Sequence, residues 1–192
     1  MRRCLAMLLF FCAVLVEART TCAIFAKYPN KYFVESGSYR GDGIQMALDA
    51  GFKNIYSIEL GLNFYKNCCV RFASRPKVKL FLGSSAEMMP VVLKNIDAPA
   101  TFWLDGHYSG ANTAKADTNT PILAELEAIR KHPIKTHTIL IDDVRLFGTI
   151  EFDFIELQEI IQKILEINPK YQITYEDGYI SNDVLVAYAP IQ

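Results

Sequence analysis

The chain has 192 residues, of which 51% are hydrophobic and 21% charged, and its formal net charge is −1. This composition excludes a disordered tail, a collagen-like repeat and a disulfide-rich miniprotein, and the length suits a single domain with a substantial core. Because acidic and basic residues nearly balance, nucleic acid and anionic membranes are not expected as partners, and a small molecule is. A homo-oligomer is compatible with this composition.

The first 18 residues have the pattern of a secretory signal peptide. Arg2 and Arg3 precede an uninterrupted apolar run from Cys4 to Val16, and Ala18 closes the segment. The apolar run is shorter than the roughly 17–25 residues that cross a bilayer as a helix. We therefore expect cleavage after Ala18, entry into the secretory pathway and no stable membrane contact afterwards. An uncleaved signal anchor is the alternative.

Residues 19–192 then form one domain, with no interdomain linker or internal repeat in their sequence. The cysteines that remain after cleavage are odd in number, which does not favour an oxidising compartment. They are Cys22, Cys68 and Cys69. The leader and the cysteine count therefore point to different compartments.

From Lys31 onward, short β-rich runs alternate with amphipathic helical patterns. The predicted strands are Tyr32–Glu35, Asn54–Glu59, Val78–Leu82, Thr101–Leu104, Thr138–Ile141, Tyr171–Tyr175 and Val184–Tyr188. The predicted helices are Asp42–Ala50, Asn63–Ala73, Ser85–Asn95, one that begins at Pro121, and one with the apolar stripe Leu157, Ile160, Ile161 and Ile164. Five strand–helix units followed by a hairpin specify an α/β domain with a doubly wound, mainly parallel sheet that ends in an antiparallel β-hairpin.

Each of the first five predicted strands ends on an acid or a serine pair. Ligands of an open parallel sheet bind outside the carboxyl ends of its strands, so these residues are the candidates for a site. Single residues of this kind often cap helices, but a series of five is more informative. The series is Glu35, Glu59, Ser84–Ser85, Asp105 and Asp142–Asp143.

The turn after the first strand contains glycines at positions 37, 41 and 43. Glycines there allow a ligand close to the backbone, although a turn without a ligand is the plainer interpretation. Their spacing differs from the G-x-G-x-x-G of nicotinamide dinucleotide sites. The acid that ends the second strand, Glu59, can accept hydrogen bonds from a ribose diol or interact with a helix dipole.

This ordered set of motifs resembles class I S-adenosylmethionine-dependent methyltransferases, and among them the metal-dependent O-methyltransferases of the catechol and macrolide-sugar type. The resemblance covers the chain from Lys31 to its C-terminus and implies a Rossmann-like fold. It also implies that the first turn holds the methionine part of S-adenosylmethionine, that Glu59 holds the ribose, and that Ser84 and Ser85 lie against the adenine. The first-turn residues concerned are Glu35, Gly37, Ser38, Tyr39 and Gly41.

The same resemblance places a metal ion at Asp105, Asp142 and Asp143. Carboxylate oxygens suit a hard cation, Mg²⁺ above all, which would bind and orient a substrate hydroxyl. Catechol-type enzymes often have Asn at the third position, where this chain has Asp143. The alternative is that Asp105 orients the substrate and the other two acids cap a loop.

The catalytic candidates are Asp105 and His107, which follow the fourth strand. His107 is the expected general base, although a loop histidine without a catalytic role is the alternative. Catechol-type enzymes have a lysine three residues after the aspartate, where this chain has Tyr108. The sequence therefore predicts an O-methyltransferase acting on a small hydroxylated acceptor. A non-catalytic cofactor-binding module and a nicotinamide-dependent oxidoreductase are the alternatives.

Overall fold

A computed structural model describes residues 22–108, 110, 115 and 117–190. The predicted signal peptide lies outside these residues. Within them, seven strands form one sheet in the order β3-β2-β1-β4-β5-β7-β6. The strands are β1 Tyr32–Ser36, β2 Ile55–Glu59, β3 Val78–Leu82, β4 Ala100–Leu104, β5 Thr138–Ile141, β6 Gln172–Glu176 and β7 Val184–Tyr188. The helices are α1 (residues 22–27), α2 Asp42–Asp49, α3 Leu62–Arg71, α4 Ser85–Leu93, α5 Ile122–Lys131 and α6 Leu157–Ile167.

Strands β1 to β5 pair in parallel, and β7 pairs antiparallel with both β5 and β6. The strand order reverses beside β1, where β2 lies on one side and β4 on the other. Every residue of β1, β2, β4 and β5 is buried, as expected of parallel strands covered on both faces. The predicted Rossmann-like sheet with a terminal hairpin is confirmed.

Helices cover the two faces of the sheet and bury a separate apolar core on each. On one face α4, α5 and α6 pack around Phe102 and Ile139. On the other face α1, α2 and α3 pack around Phe33 and Trp103, and the ring of Phe25 meets Trp103 edge-on at 5.0 Å. No helix among the described residues is long and apolar enough to cross a bilayer.

Two buried histidines form a hydrogen-bonded chain at the amino end of the sheet. The amide of Ala100 donates to Nδ1 of His137 at 3.1 Å, so the ring proton of a neutral His137 sits on Nε2. That proton points at Nδ1 of His132, 3.0 Å away, and Nε2 of His132 lies 3.2 Å from the carbonyl oxygen of Ile96. The ring of His137 is therefore held neutral, since a second proton on its Nδ1 would face the amide of Ala100.

We expect His137 to make the fold sensitive to acid. Burial lowers the pKa of His137 to about 3, below the value of about 6.5 for an unfolded histidine. Its contribution to stability is therefore complete above pH 6.5 and is lost as the pH falls toward 3. At pH 5 the loss is about 2 kcal/mol.

Urea unfolding of the wild type and of His137→Gln at pH 7.5 and pH 5 measures this loss. Burial raises the pKa of Glu35 and Asp142, so the contribution of these acids to stability increases as the pH falls. Because both proteins contain these acids, the effect of His137 is measured as the difference between their free energies of unfolding. The stability advantage of the wild type should shrink by about 2 kcal/mol at pH 5. An advantage that stays constant with pH would show that His137 does not titrate on unfolding.

Candidate functional site

The predicted site residues converge at the carboxyl edge of the sheet. In the parallel register Glu35 lies opposite both Ser57 on β2 and Trp103 on β4. Because β1 lies between β2 and β4 in the sheet, the turn that follows it lies between the ends of those two strands. The candidate cofactor-binding residues and the candidate metal ligands therefore lie at the same edge of the sheet, as the sequence predicts.

The first turn packs tightly against the end of β4. Gly37 and Gly41 have φ values of 83° and 84°, and Tyr39 adopts a left-handed φ of 45°. A Cβ at Gly37 would lie 2.5 Å from the carbonyl oxygen of Asp105. Only glycine fits there, so the turn requires Gly37 for both its conformation and its contact with β4.

Glu35 is buried beneath this turn. Its Oε2 accepts a hydrogen bond from the Ser57 hydroxyl at 2.5 Å, and the Ser57 and Ser38 hydroxyls lie 2.5 Å apart. Burial, together with the nearby acids Glu59 and Asp42, raises the pKa of Glu35 to about 8. Glu35 and Ser38, each 2% exposed, therefore lie beneath the turn and stabilise its conformation. Their direct contact with a cofactor stays a prediction.

Glu59 is held by two backbone amides at the end of β2. Its Oε2 accepts from the amide of Tyr39 at 2.7 Å, and its Oε1 accepts from the amide of Gly61 at 2.6 Å. The carboxylate thus joins the first turn to the start of α3. Each oxygen keeps a second acceptor position, so the pair can also receive two hydroxyl groups from a ligand.

The predicted metal ligands lie in two overlapping groups that share Asp143. Ligand atoms of Asp105, His107 and Asp143 lie within 4.8 Å of one another, and so do those of Asp142, Asp143 and Asp183. His107 lies between two of the carboxylates. Its Nδ1 is 3.5 Å from Oδ1 of Asp105, and its Nε2 is 3.2 Å from Oδ2 of Asp143.

Sequence comparison and structure comparison give different results for this chain. No family model and no curated protein matches the sequence. Solved structures do match. The O-methyltransferase TomG from Streptomyces achromogenes, in complex with SAM, has a TM-score of 0.60 and 14% identity over 90% of this chain and 79% of its own. An O-methyltransferase from Bacillus cereus with SAH has a TM-score of 0.59 and 11% identity over 90% of this chain and 80% of its own.

A methyltransferase from Geobacter sulfurreducens has a TM-score of 0.59 and 13% identity, and the match covers 91% of this chain and 78% of that one. These chains match along most of their length, so the likeness includes the sheet and its covering helices. The fold is that of the class I methyltransferases. At these identities the likeness establishes the methyltransferase fold alone.

Arg145 supplies a positive charge at this edge of the methyltransferase fold, and sequence reasoning missed it. Its Nη1 lies 2.5 Å from Oδ1 of Asp143 and also forms an ion pair with Asp183, while its amide donates to Oδ1 of Asp183 at 3.1 Å. Its guanidinium carbon lies 4.9 Å from the ring centre of Tyr179. Arg145 follows the Asp142–Asp143 pair by two residues, and this short distance in sequence could have indicated that it lies at the site.

The acids of this edge repel one another. Burial and the negative charges of Asp142 and Asp143 raise the pKa of Asp105 well above its usual value. Burial and Asp143 raise the pKa of Asp142 to about 7. Burial lowers the pKa of His107, which favours a neutral ring with one N–H. Such a ring donates to one carboxyl group and turns a lone pair to the other, so the site favours a shared proton or a bound cation.

A cavity of about 530 Å³ opens beside His107 and Asp143. Tyr108, Arg145 and Ile150 are among its lining residues. Asn119, another lining residue, is held by Asp153, whose carboxylate accepts from the amide of Asn119 at 2.8 Å and from its side chain at 2.9 Å. The arrangement provides a partly enclosed space in which a small molecule can meet the imidazole ring.

Proposed function

We propose that this protein is an S-adenosylmethionine-dependent methyltransferase that methylates a hydroxyl group of a small acceptor. The observation that carries the proposal is the Glu59 carboxylate, buried at the end of β2 and fixed by the amides of Tyr39 and Gly61. An acid so placed beside a tight glycine turn is suited to a ribose diol. The SAM and SAH complexes among the structural neighbours support the same cofactor.

Different residues along the carboxyl edge of the sheet bind the cofactor and accept the proton of the acceptor hydroxyl. Glu59 accepts the ribose hydroxyls, the turn at Gly37 leaves room for the methionine part, and Ser84 and Ser85 face the adenine. The cofactor supplies an electrophilic methyl group, and the chain has only to orient the acceptor oxygen and remove its proton. A ring nitrogen of neutral His107 takes that proton, and Asp143 then stabilises the charged imidazole across 3.2 Å.

The acid cluster also fits a divalent cation. Its donor set consists of carboxylates with one imidazole, and burial and the neighbouring acids raise the pKa values of Asp105 and Asp142, an effect that a bound positive charge would oppose. Asp105, Asp142 and Asp143 would hold the ion, with Mg²⁺ favoured by the oxygen ligands. When bound, it would lower the pKa of the acceptor hydroxyl.

Calorimetry with SAH, on protein that begins at residue 19, tests the proposed cofactor. We expect micromolar binding. A wild-type protein that binds no SAH would overturn the proposal, and binding of a nicotinamide dinucleotide instead would favour an oxidoreductase. Methyl transfer to no member of a panel of hydroxylated acceptors, despite SAH binding, would indicate a non-catalytic module.

We expect a single divalent cation to bind at the acid cluster and to depend on Asp142. Titration with Mn²⁺, followed by its electron paramagnetic resonance signal, measures this binding without an acceptor. Asp142→Asn should weaken it by about tenfold or more, since even partners outside the ligand shell have effects of that size. Exposed Asp49→Asn is the matched control. Equal Mn²⁺ affinity in both variants would remove the metal from the proposal.

The signal peptide, the secretory location and the oligomeric state stay predictions of the sequence. Residues 1–18 lie outside the described part of the chain.

A further inference from the structure

Two segments beside the cavity expose large apolar side chains. Ile150 lines the cavity, and Phe154 in the same segment is 66% exposed. In the second segment Tyr179 is 72% exposed, and its ring lies over the guanidinium of Arg145, which also lines the cavity. Ile180 follows it and is exposed. We call Ile150, Phe154, Tyr179 and Ile180 the apolar rim, because a group of this kind beside a pocket is typical of a binding surface.

Backbone contacts fix both segments at the site. The amide of Phe154 donates to the carbonyl oxygen of Thr149 at 2.8 Å, which closes the first segment into a turn. The second segment packs on the acid cluster, since a Cβ on Gly178 would lie 3.5 Å from Oδ1 of Asp142. The apolar rim is therefore continuous with the site.

Phe154 is held in solvent by a backbone conformation that costs free energy. Asp153 and Phe154 have φ values of 52° and 58°, in the left-handed region that a bulky side chain rarely adopts. The carboxylate of Asp153 stabilises this conformation by accepting from the amides of Asn119 at 2.8 Å and Thr120 at 3.1 Å. Strained residues of this kind are found together at ligand sites. Neither the strain nor the exposed ring stabilises the fold, so the position of Phe154 points to contact with a ligand.

The cavity and the apolar rim differ in polarity. The cavity presents the polar groups of His107, Asn119 and Arg145, which suit a hydroxylated group. The apolar rim offers mainly hydrocarbon and aromatic surface, so a molecule that contacts both has a polar head and an apolar tail. Resting on the proposed function, we propose that the acceptor is a single-chain amphiphile whose hydroxylated head enters the cavity and whose alkyl tail lies along the apolar rim.

The charges around the apolar rim favour a free amphiphile over a membrane surface. Residues 149–156 and 177–183 include acids but no lysine or arginine. Protein surfaces that bind anionic membranes are rich in lysine and arginine, whereas acids are repelled by the lipid headgroups. The alkyl tail of a free molecule carries no charge and meets no such repulsion.

Titration with 1,2-butanediol, 1,2-hexanediol and 1,2-octanediol tests the proposed tail contact. These diols share one hydroxylated head and differ only in tail length. NMR chemical-shift titration of the wild type saturated with SAH measures each dissociation constant. The affinity should rise by about 20-fold or more from butanediol to octanediol, because each buried methylene group contributes a factor of up to about four. An affinity that does not rise overturns this inference and leaves the proposed function standing.

Phe154→Asn and Tyr179→Ser test the two segments separately. Each variant should lower the gain from butanediol to octanediol by about threefold or more. Because Asn tolerates the left-handed region, Phe154→Asn should unfold at a temperature equal to or above that of the wild type. Val70→Ser removes an exposed apolar side chain of α3 and is the matched control, with the full gain.

An unchanged gain in either rim variant overturns this inference, and Tyr179→Ser keeps the test decisive if Phe154→Asn does not fold. Binding of the wild type to phosphatidylcholine vesicles, or its self-association, would also overturn it if Phe154→Asn abolished that interaction. The apolar rim would then serve a membrane or a second copy of this chain. Failure of the wild type to bind SAH overturns both this inference and the proposed function.

Discussion

Replacement of Glu59 by alanine should lower the affinity for SAH by about a hundredfold or more. Two hydrogen bonds from ribose hydroxyls to a buried carboxylate are lost together, and each such bond to a charged group contributes about 1.5–3 kcal/mol. The change also removes the acceptor for the amides of Tyr39 and Gly61, which loosens the first turn. Calorimetric titration of the folded variant with SAH measures the loss.

Glu59→Gln separates these two effects. The amide oxygen of glutamine can still accept one backbone N–H, but its NH₂ group faces a donor, so affinity should fall to a value between the wild type and alanine. Asp49→Ala removes an exposed acid on α2 and serves as the control, with unchanged affinity. If Glu59→Ala binds SAH as the wild type does, the acid after β2 does not contact the cofactor and the proposed orientation is wrong.

The fold was predictable because its hydrophobic patterns are local and consistent. Each parallel strand is a short apolar run followed by an amphipathic helix, and the observed strands begin and end within two residues of those expected. The acids at the strand ends were predictable for the same reason. Parallel strands end at one edge of the sheet, so Glu59, Asp105 and Asp142 had to lie at that edge.

The rest of the site depends on registers and faces that the sequence does not reveal. Asp183 reaches the acid cluster because β7 runs antiparallel to β5, which places Leu185 opposite Ile141. A shift of that register would carry Asp183 elsewhere without changing the local pattern. Glu125 has the appearance of an ordinary first-turn acid, and only the packing of α5 against the sheet shows that it is buried.

Replacement of Arg145 by methionine should lower the free energy of unfolding by about 3 kcal/mol, because it leaves Asp183 as a buried charge without its cation. The side chain of Asp183 is fully buried, and Arg145 is its ion-pair partner. Methionine keeps most of the aliphatic volume, so the loss is electrostatic. For a chain of this length the melting temperature should fall by roughly 6–12 °C in thermal unfolding followed by circular dichroism.

Two further variants identify the cause. Adding Asp183→Asn to Arg145→Met removes the uncompensated charge and should restore more than half of the lost stability. Arg130→Met breaks an exposed pair with Glu127 and should change stability by less than about 1 kcal/mol. If Arg145→Met is as mild as Arg130→Met, the pair with Asp183 does not hold the β6–β7 hairpin against β5. Arg145 would then be free to serve the ligand cavity that it lines.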